Sequence, residues 1–406
     1  MTAAPPPESE RTAAPAAAWL EGHFSVVAGG PLYRIYRRLG LAGQALEHST
    51  RRVLAIVLCT WLPLLILSLI DGFAWSGVRV PFVKDIEVHL RLLVALPLLV
   101  GTERMIHDRM RGVAEQFIAQ GLIVPADRAR FDAAISSALR LRDNTWVELA
   151  LLAIVYTVGV AAIWHNAVQA DVATWYARAT GHWVATTLAG SWYRLVSLPA
   201  FQFILLRWYF RLFIWARFIW QASRMNLNLI AMHPDRAGGL GFLNLLSYSF
   251  LPLMLAQGTA IAAVMADGIF FRGMTLPQYE LELGGVAVLA LIWVVLPLLP
   301  LMPAMARARR LGFLEYAVLA ERYVREFDRK WLRSPPNGEP LLGTSDIQSL
   351  ADLGNAFEVV KGMKLLPVEL LTIVVFVVVT LMPILPLVLT MVPLDRLLSQ
   401  LLAAIV

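Results

Sequence analysis

Few side chains in this sequence could do chemistry, and they stand apart from one another. Arg194 lies inside an apolar run, with Ser191, Tyr193, Ser197, Pro199 and Gln202 around it. A guanidinium within a membrane span is costly, so it marks a buried partner, an anionic substrate or a water path. Tyr248 and Gln257 occupy the following apolar run, while Asp267 and Glu369 stand at the ends of two runs and could couple to Arg194. Arg194, Gln202, Tyr248, Gln257, Asp267 and Glu369 are therefore the candidate pore or substrate contacts. Arg91 and Glu103 fall close enough to span ends to be solvated.

A second group forms the turn His233-Pro234-Asp235-Arg236-Ala237-Gly238-Gly239. His233 and Asp235 are too few for a metal site, which takes three or four ligands. Pro234 stops the preceding helix, and Gly238 and Gly239 permit a sharp reversal with positive φ. His233, Pro234, Asp235, Arg236, Gly238 and Gly239 make a candidate gating or docking loop. The remaining histidines are scattered, with His165 and His182 beside Trp164 and Trp183 in an aromatic belt.

Prolines supply a third pattern. Pro297, Pro300 and Pro303 fall in one apolar run, and Pro383 and Pro386 in the last. Each removes a helix hydrogen bond and kinks the chain, which suits either static bends or the broken helices of a binding site. No zinc-protease, nucleophile-elbow, phosphate-loop or dinucleotide fingerprint is present, so no enzyme activity, cofactor or metal is expected. The lone Cys59 excludes an intrachain disulfide and a cysteine metal site.

The elements that must position these residues are membrane spans. With 58% hydrophobic and 16% charged residues over 406 positions, the chain carries more apolar surface than a soluble core could bury. Apolar runs near 53–71, 88–106, 146–165, 183–206, 242–266, 283–304 and 367–392 predict about seven transmembrane helices. This is an all-α polytopic membrane bundle. Of the 35 Lys and Arg residues, 28 fall on one set of alternating loops and 5 on the other. The excess predicts an N-terminus inside and a C-terminus outside, as in a bacterial inner membrane. It also explains the net charge of +6 without a nucleic-acid partner.

Residues 1–18, rich in Ala and Pro, read as a disordered cytoplasmic tail, and 19–52 as a juxtamembrane segment lying along the headgroups. The seven-span domain then occupies 53–406, with helical cytoplasmic loops at 104–145, 207–240 and 305–366. The first loop predicts a hairpin with a break at Gly121. The third predicts an exposed helix over 305–333, supported by the i, i+4 pairs Glu321 with Arg325, Arg322 with Glu326 and Glu326 with Lys330. A capping box of Ser345 and Gln348 starts the next helix. In the second loop, Arg207, Arg211, Arg217, Gln221, Arg224 and Asn228 share a ~140° arc opposite Trp208, Trp215 and Trp220. That face either anchors at the interface or packs against the other loop helices, building a layer that joins subunits.

This architecture resembles, in topology, the insect chemoreceptor class of seven-pass ligand-gated cation channels. The resemblance implies an anchor layer from the inner ends of the later spans, tetramers, and a pore lined by the last span. The turn extended through Leu240-Gly241-Phe242 is similar to that of uncharacterised bacterial multi-pass membrane proteins. His233-Pro234-Asp235 also occurs in J-domain co-chaperones, which follow it with a soluble helix; here a span follows. The sequence thus predicts an oligomeric channel or receptor-like protein for an unknown ion or small molecule. The alternatives are a secondary transporter with a mid-membrane site near Arg194 and a non-catalytic scaffold or accessory subunit.

Overall fold

Proline cuts the apolar runs of this chain into segments, and the segments restart at once as helix. In the computed structural model, which describes residues 24–43, 46, 48–159, 174–180, 183–333 and 344–391, Pro63, Pro97, Pro199, Pro252, Pro300, Pro303, Pro383 and Pro386 each occupy the first or second position of a new helical segment. Proline lacks the N–H that the first turn does not need, and its ring crowds the carbonyl four residues back. A wider π turn precedes Pro97 (Leu90–Ala95) and Pro199 (Tyr193–Ser197), and a tight 3₁₀ turn holds Pro300 and Pro383. π and 3₁₀ turns of this kind are among the local adjustments by which membrane helices re-satisfy backbone groups freed by proline.

In chain order the helices are α1 (Pro31–Arg38), α2 (Ser49–Ile70), α3 (86–119), α4 (Arg128–Arg142), α5 (Thr145–Gly159), α6 (188–223), α7 (Phe242–Arg272), α8 (Leu276–Val295), α9 (Met302–Asp328), α10 (Ser345–Lys361) and α11 (Leu370–Met391). Helix dominates the described residues. A short antiparallel ribbon, β1 (Ala177–Thr180) with β2 (Trp183–Thr186), lies before α6. The fourth apolar run therefore begins its helix at Leu188 and not at residue 183, because Trp183 to Thr186 pair with β1. Residues 1–18, with the expected tail, and His165 and His182 lie outside the described residues.

Four helices, α2, α7, α8 and α11, are long and apolar enough to cross a membrane. In its most apolar window α7 is 67% buried, against 17% for α2 and 28% for α8 and α11, so α7 is the central strut. Its small residues explain how: Gly258 packs directly on the backbone of Thr380 in α11, where any Cβ would overlap the carbonyl. Small residues at such crossings let helices approach closely enough for dispersion contacts that lipid cannot match.

The loop helices follow the sequence pattern with local changes. Gly121 ends α3 with a φ of +65°, and Phe131 and Ile135 of α4 are fully buried. α9 runs on through Arg329–Arg333 and packs antiparallel to α10, forming a projecting hairpin. Glu321 pairs with Arg325 at 2.6 Å and Arg322 with Glu326 at 3.6 Å, and Lys330 reaches across to Asp346 of α10 at 2.7 Å. The Ser345 capping box does not form; Thr344 is the N-cap and Gln348 bonds Asp352.

The α7–α11 crossing makes a direct prediction. Gly258→Ala lowers the melting temperature of the purified protein by an amount equivalent to roughly 1–3 kcal/mol of overpacking. Gly101→Ala, with nothing within 4 Å of the added methyl, leaves it unchanged or slightly raised. Equal melting of the two variants contradicts the close crossing.

Candidate functional site

The densest polar chemistry lies where α2, α3, α5 and α6 meet a stretch of chain that precedes α1. Glu103 of α3 is buried and faces three arginines: Arg52 at 3.1 Å, Arg211 at 2.8 Å and Arg207 at 3.8 Å. Arg207 also pairs with Glu148 of α5 at 3.0 Å. All five side chains are buried. Three cations against two carboxylates leave one positive charge in excess, and the surplus is spread over backbone carbonyls. Arg211 donates to Val27 at 3.3 Å, Arg207 to Gly29 at 3.5 Å and Arg52 to Val100 at 3.3 Å. The Arg211 guanidinium also stacks 4.6 Å from the ring of Trp208, whose indole N–H donates to the Leu99 carbonyl.

Those carbonyls belong largely to residues 24–30, an irregular segment threaded into the core. Phe24, Val26 and Val27 are buried, so this part of the expected juxtamembrane segment lies inside the protein and not along the headgroups. An irregular segment satisfies little of its own backbone, here through the Ser25 hydroxyl accepting from the Val27 and Ala28 N–H groups, and the rest must be satisfied from outside. Arg142 donates to the Ser25 carbonyl at 2.7 Å, Asp143 accepts from the Gly30 N–H at 2.8 Å and Glu148 accepts from the Leu32 N–H at 2.8 Å. Gly30 turns the chain with a φ of +88°, within reach of Glu148, where a side chain would be strained.

The same geometry corrects the expectation that Glu103 and Arg91 are solvated. Both are buried; Arg91 pairs with Glu87 and donates to the Tyr193 hydroxyl at 2.6 Å. Sequence position near a span end does not reveal that a neighbouring helix covers the side chain. Arg207, Arg211 and Arg217 of the arginine-rich face likewise turn inward against α4, α5 and the 24–30 segment, with Arg217 donating to Ser137 at 2.9 Å, while Arg224 at the end of the face is exposed.

The six candidate pore or substrate contacts do not converge. Arg194 sits in the π turn near the start of α6, half-buried, and not half way along a span. Gln202 is partly buried beside Gly159. Gln257 is buried and accepts from the Tyr209 hydroxyl at 2.6 Å. Tyr248 accepts from Thr372 of α11 at 3.0 Å, tying α7 to α11. Asp267 pairs with Arg272 at 3.1 Å, and Glu369 is exposed and pairs with Lys364 at 2.9 Å. Each is a local contact in its own place. Among the described residues no cluster of three or more His, Cys, Asp or Glu could hold a metal ion.

The turn between α6 and α7 is knotted around Asp235. Its carboxylate accepts from the N–H groups of Ala237 at 2.7 Å, Gly241 at 2.8 Å and Gly239 at 3.1 Å, and lies 2.8 Å from His233 Nδ1. Burial would push its pKa up, but these donors hold it below the usual carboxylate range. Gly238 and Gly239 have positive φ, as does Arg236 at +52°. The Arg236 carbonyl accepts from the Lys364 N–H at 2.7 Å, and Gly238 lies against Met363. Pro234 and the flanking residues thus form a docking knuckle between the α3–α4 turn and the lead-in to α11.

At the opposite end, beside the ribbon, Asp85 is buried under Trp175. Asp85 caps the start of α3 by accepting from the Val88 N–H at 2.9 Å and accepts from the Trp175 indole at 2.8 Å. Burial, then the charge of Glu87, raise its pKa to about 7 against the two hydrogen bonds, with Asp267 adding to the rise. An acid whose folded pKa lies above its unfolded value near 3.9 stabilises the fold only while protonated there. Stability contributed at this site is therefore present below pH ~4 and lost as pH rises through about 7. The unfolding free energy of the wild type therefore falls by at most about 1.4 kcal/mol per pH unit between pH 5 and pH 7, and Asp85→Asn flattens that slope. An unchanged slope in the variant contradicts the assignment.

No protein-family model, curated protein or solved structure matches this chain. Its composition and four crossing-length helices are those of a multi-pass helical membrane protein, held together by a buried ionic knot.

Proposed function

We propose that this is a seven-span membrane protein that works as an oligomer, with channel or receptor-like function, its N-terminus inside and its C-terminus outside. α3, α5 and α6 supply the three spans beyond the four apolar ones; their charges pair within the protein and so are compatible with a bilayer. The observation that carries the oligomer is the projecting hairpin. Along with its charge pairs it exposes Leu314, Leu319 and Val324, with Val318 72% and Leu332 71% exposed. Such apolar residues on a charged cytoplasmic hairpin favour contact with another subunit.

Among the described residues Trp208, Trp293 and Phe376 are buried in the span region, as are the polar groups of α11, Thr372 and Thr380. A conduction path between subunits, or one opened by a stimulus, fits this packing. The scaffold reading rests on the same hairpin, with a different partner protein in place of a second copy.

In nanodiscs the wild type assembles as an oligomer, and Leu314→Glu/Val318→Glu reduces it to monomers by mass photometry while melting as the wild type does. Ion flux into liposomes accompanies the oligomer and is lost with it. A wild type that is monomeric at micromolar concentration contradicts the proposal, and an oligomer without flux under any applied stimulus moves the reading to a scaffold.

A further inference from the structure

Beneath the end of α8 nearest the hairpin, two adjoining clefts of about 460 and 550 Å³ separate the end of α6 and residues 224–232 from α9. They share Ser223, Met225, Asn226, Ala304 and Arg307, so they form one groove. The 3₁₀ break at Leu299–Leu301 between α8 and α9 forms part of its wall. Arg224 and Arg307 line the groove, both exposed, and among the described residues neither has a carboxylate partner. Arg224 is held in place over the Trp220 ring at 5.4 Å. Glu315, the acidic residue that lines the groove, lies eight positions along α9 from Arg307, roughly 12 Å away on the helix rise.

Two unpaired guanidiniums with amide side chains from Asn226 and Asn228 suit a phosphate group, which takes several charge-assisted hydrogen bonds at once. The surroundings indicate where that phosphate comes from. Trp220 and Leu299 form the rim and are exposed, and exposed apolar residues continue away from the groove along both helices, Phe213 two turns before Trp220 and Leu296 before Leu299. A soluble anion has no use for that strip, whereas an acyl chain does. Basic pockets between spans at the inner face recognise anionic headgroups in this way.

We propose that this groove binds the phosphodiester of an anionic phospholipid, with Arg224 and Arg307 on the phosphate and an acyl chain along Phe213, Trp220, Leu296 and Leu299. Bound lipid then bridges α6 and α9 at the root of the projecting hairpin.

The test is native mass spectrometry of the full chain from micelles doped with phosphatidylglycerol or phosphatidylcholine. The wild type retains phosphatidylglycerol and not phosphatidylcholine, and millimolar inorganic phosphate does not displace it. Arg224→Gln/Arg307→Gln weakens retention roughly tenfold or more, the worth of charge-assisted bonds to a phosphate. Because both arginines are exposed, the variant keeps the wild-type melting temperature. Ala304→Trp, which fills the groove without changing charge, also loses the lipid, while Arg322→Gln/Arg325→Gln, out on the hairpin, retains it. Equal retention by the Arg224/Arg307 variant and the wild type overturns the site, and displacement by phosphate alone overturns the lipid as its ligand.

Discussion

A single carboxylate, Glu103, faces three buried arginines, and for two of them, Arg52 and Arg211, it is the one carboxylate partner among the described residues, while Arg207 is shared with Glu148. Taking such ions out of water costs several kcal/mol each even after relaxation, so none of Arg52, Arg207 and Arg211 is tolerable at its position alone. Collected around Glu103 and Glu148, they become the fastening between α2, α3, α5 and α6. The threaded segment 24–30 depends on them in turn, since its carbonyls accept from guanidiniums and not from a neighbouring strand. Ionic pairing here acts on geometry: it specifies which helices meet and where the N-terminal segment must lie, a role that apolar packing alone fills less sharply.

The central strut α7 and the knot divide the labour. α7 supplies close apolar packing through Gly258 and hydrogen bonds through Gln257 and Tyr248, while the knot fixes the helices farther from it. The Asp235 knuckle joins the two halves, because one carboxylate accepting from the N–H groups of Ala237, Gly239 and Gly241 fixes the reversal between α6 and α7 against Met363 before α11. Prolines set the segment lengths. They stand at helix starts, flanked by π and 3₁₀ turns.

Much of the helical framework was legible in the sequence. Apolar length marked α2, α7, α8 and α11, Gly121 marked the α3–α4 break, and the glycines after Asp235 marked the reversal. The ionic knot was not legible, although every member is a visible residue. Glu103 and Arg207 sit at span ends, where hydropathy assigns them to solvent, and their burial arises from helices more than forty residues apart in sequence. The sign available in advance was the arginine face of α6, which needed as many acceptors as it had charges. Arg194 misled for the opposite reason: the ribbon takes Trp183 to Thr186 out of the apolar run, so the residue lies near the start of α6. Residues that must act together from distant spans carry no shared spacing, which is why Gln202, Gln257 and Glu369 looked alike in sequence and lie in separate contacts.

The most direct measurement is the unfolding stability of Glu103→Gln, alone and combined with Arg52→Met, in one detergent. If Glu103 is the fastening, the single variant loses about 3–5 kcal/mol, the cost of leaving buried cations uncompensated, and the double variant recovers part of that loss. Proteolysis then cuts within residues 24–32 in the single variant and spares the wild type. A Glu103→Gln protein as stable as the wild type, with its N-terminal segment equally protected, would contradict the account.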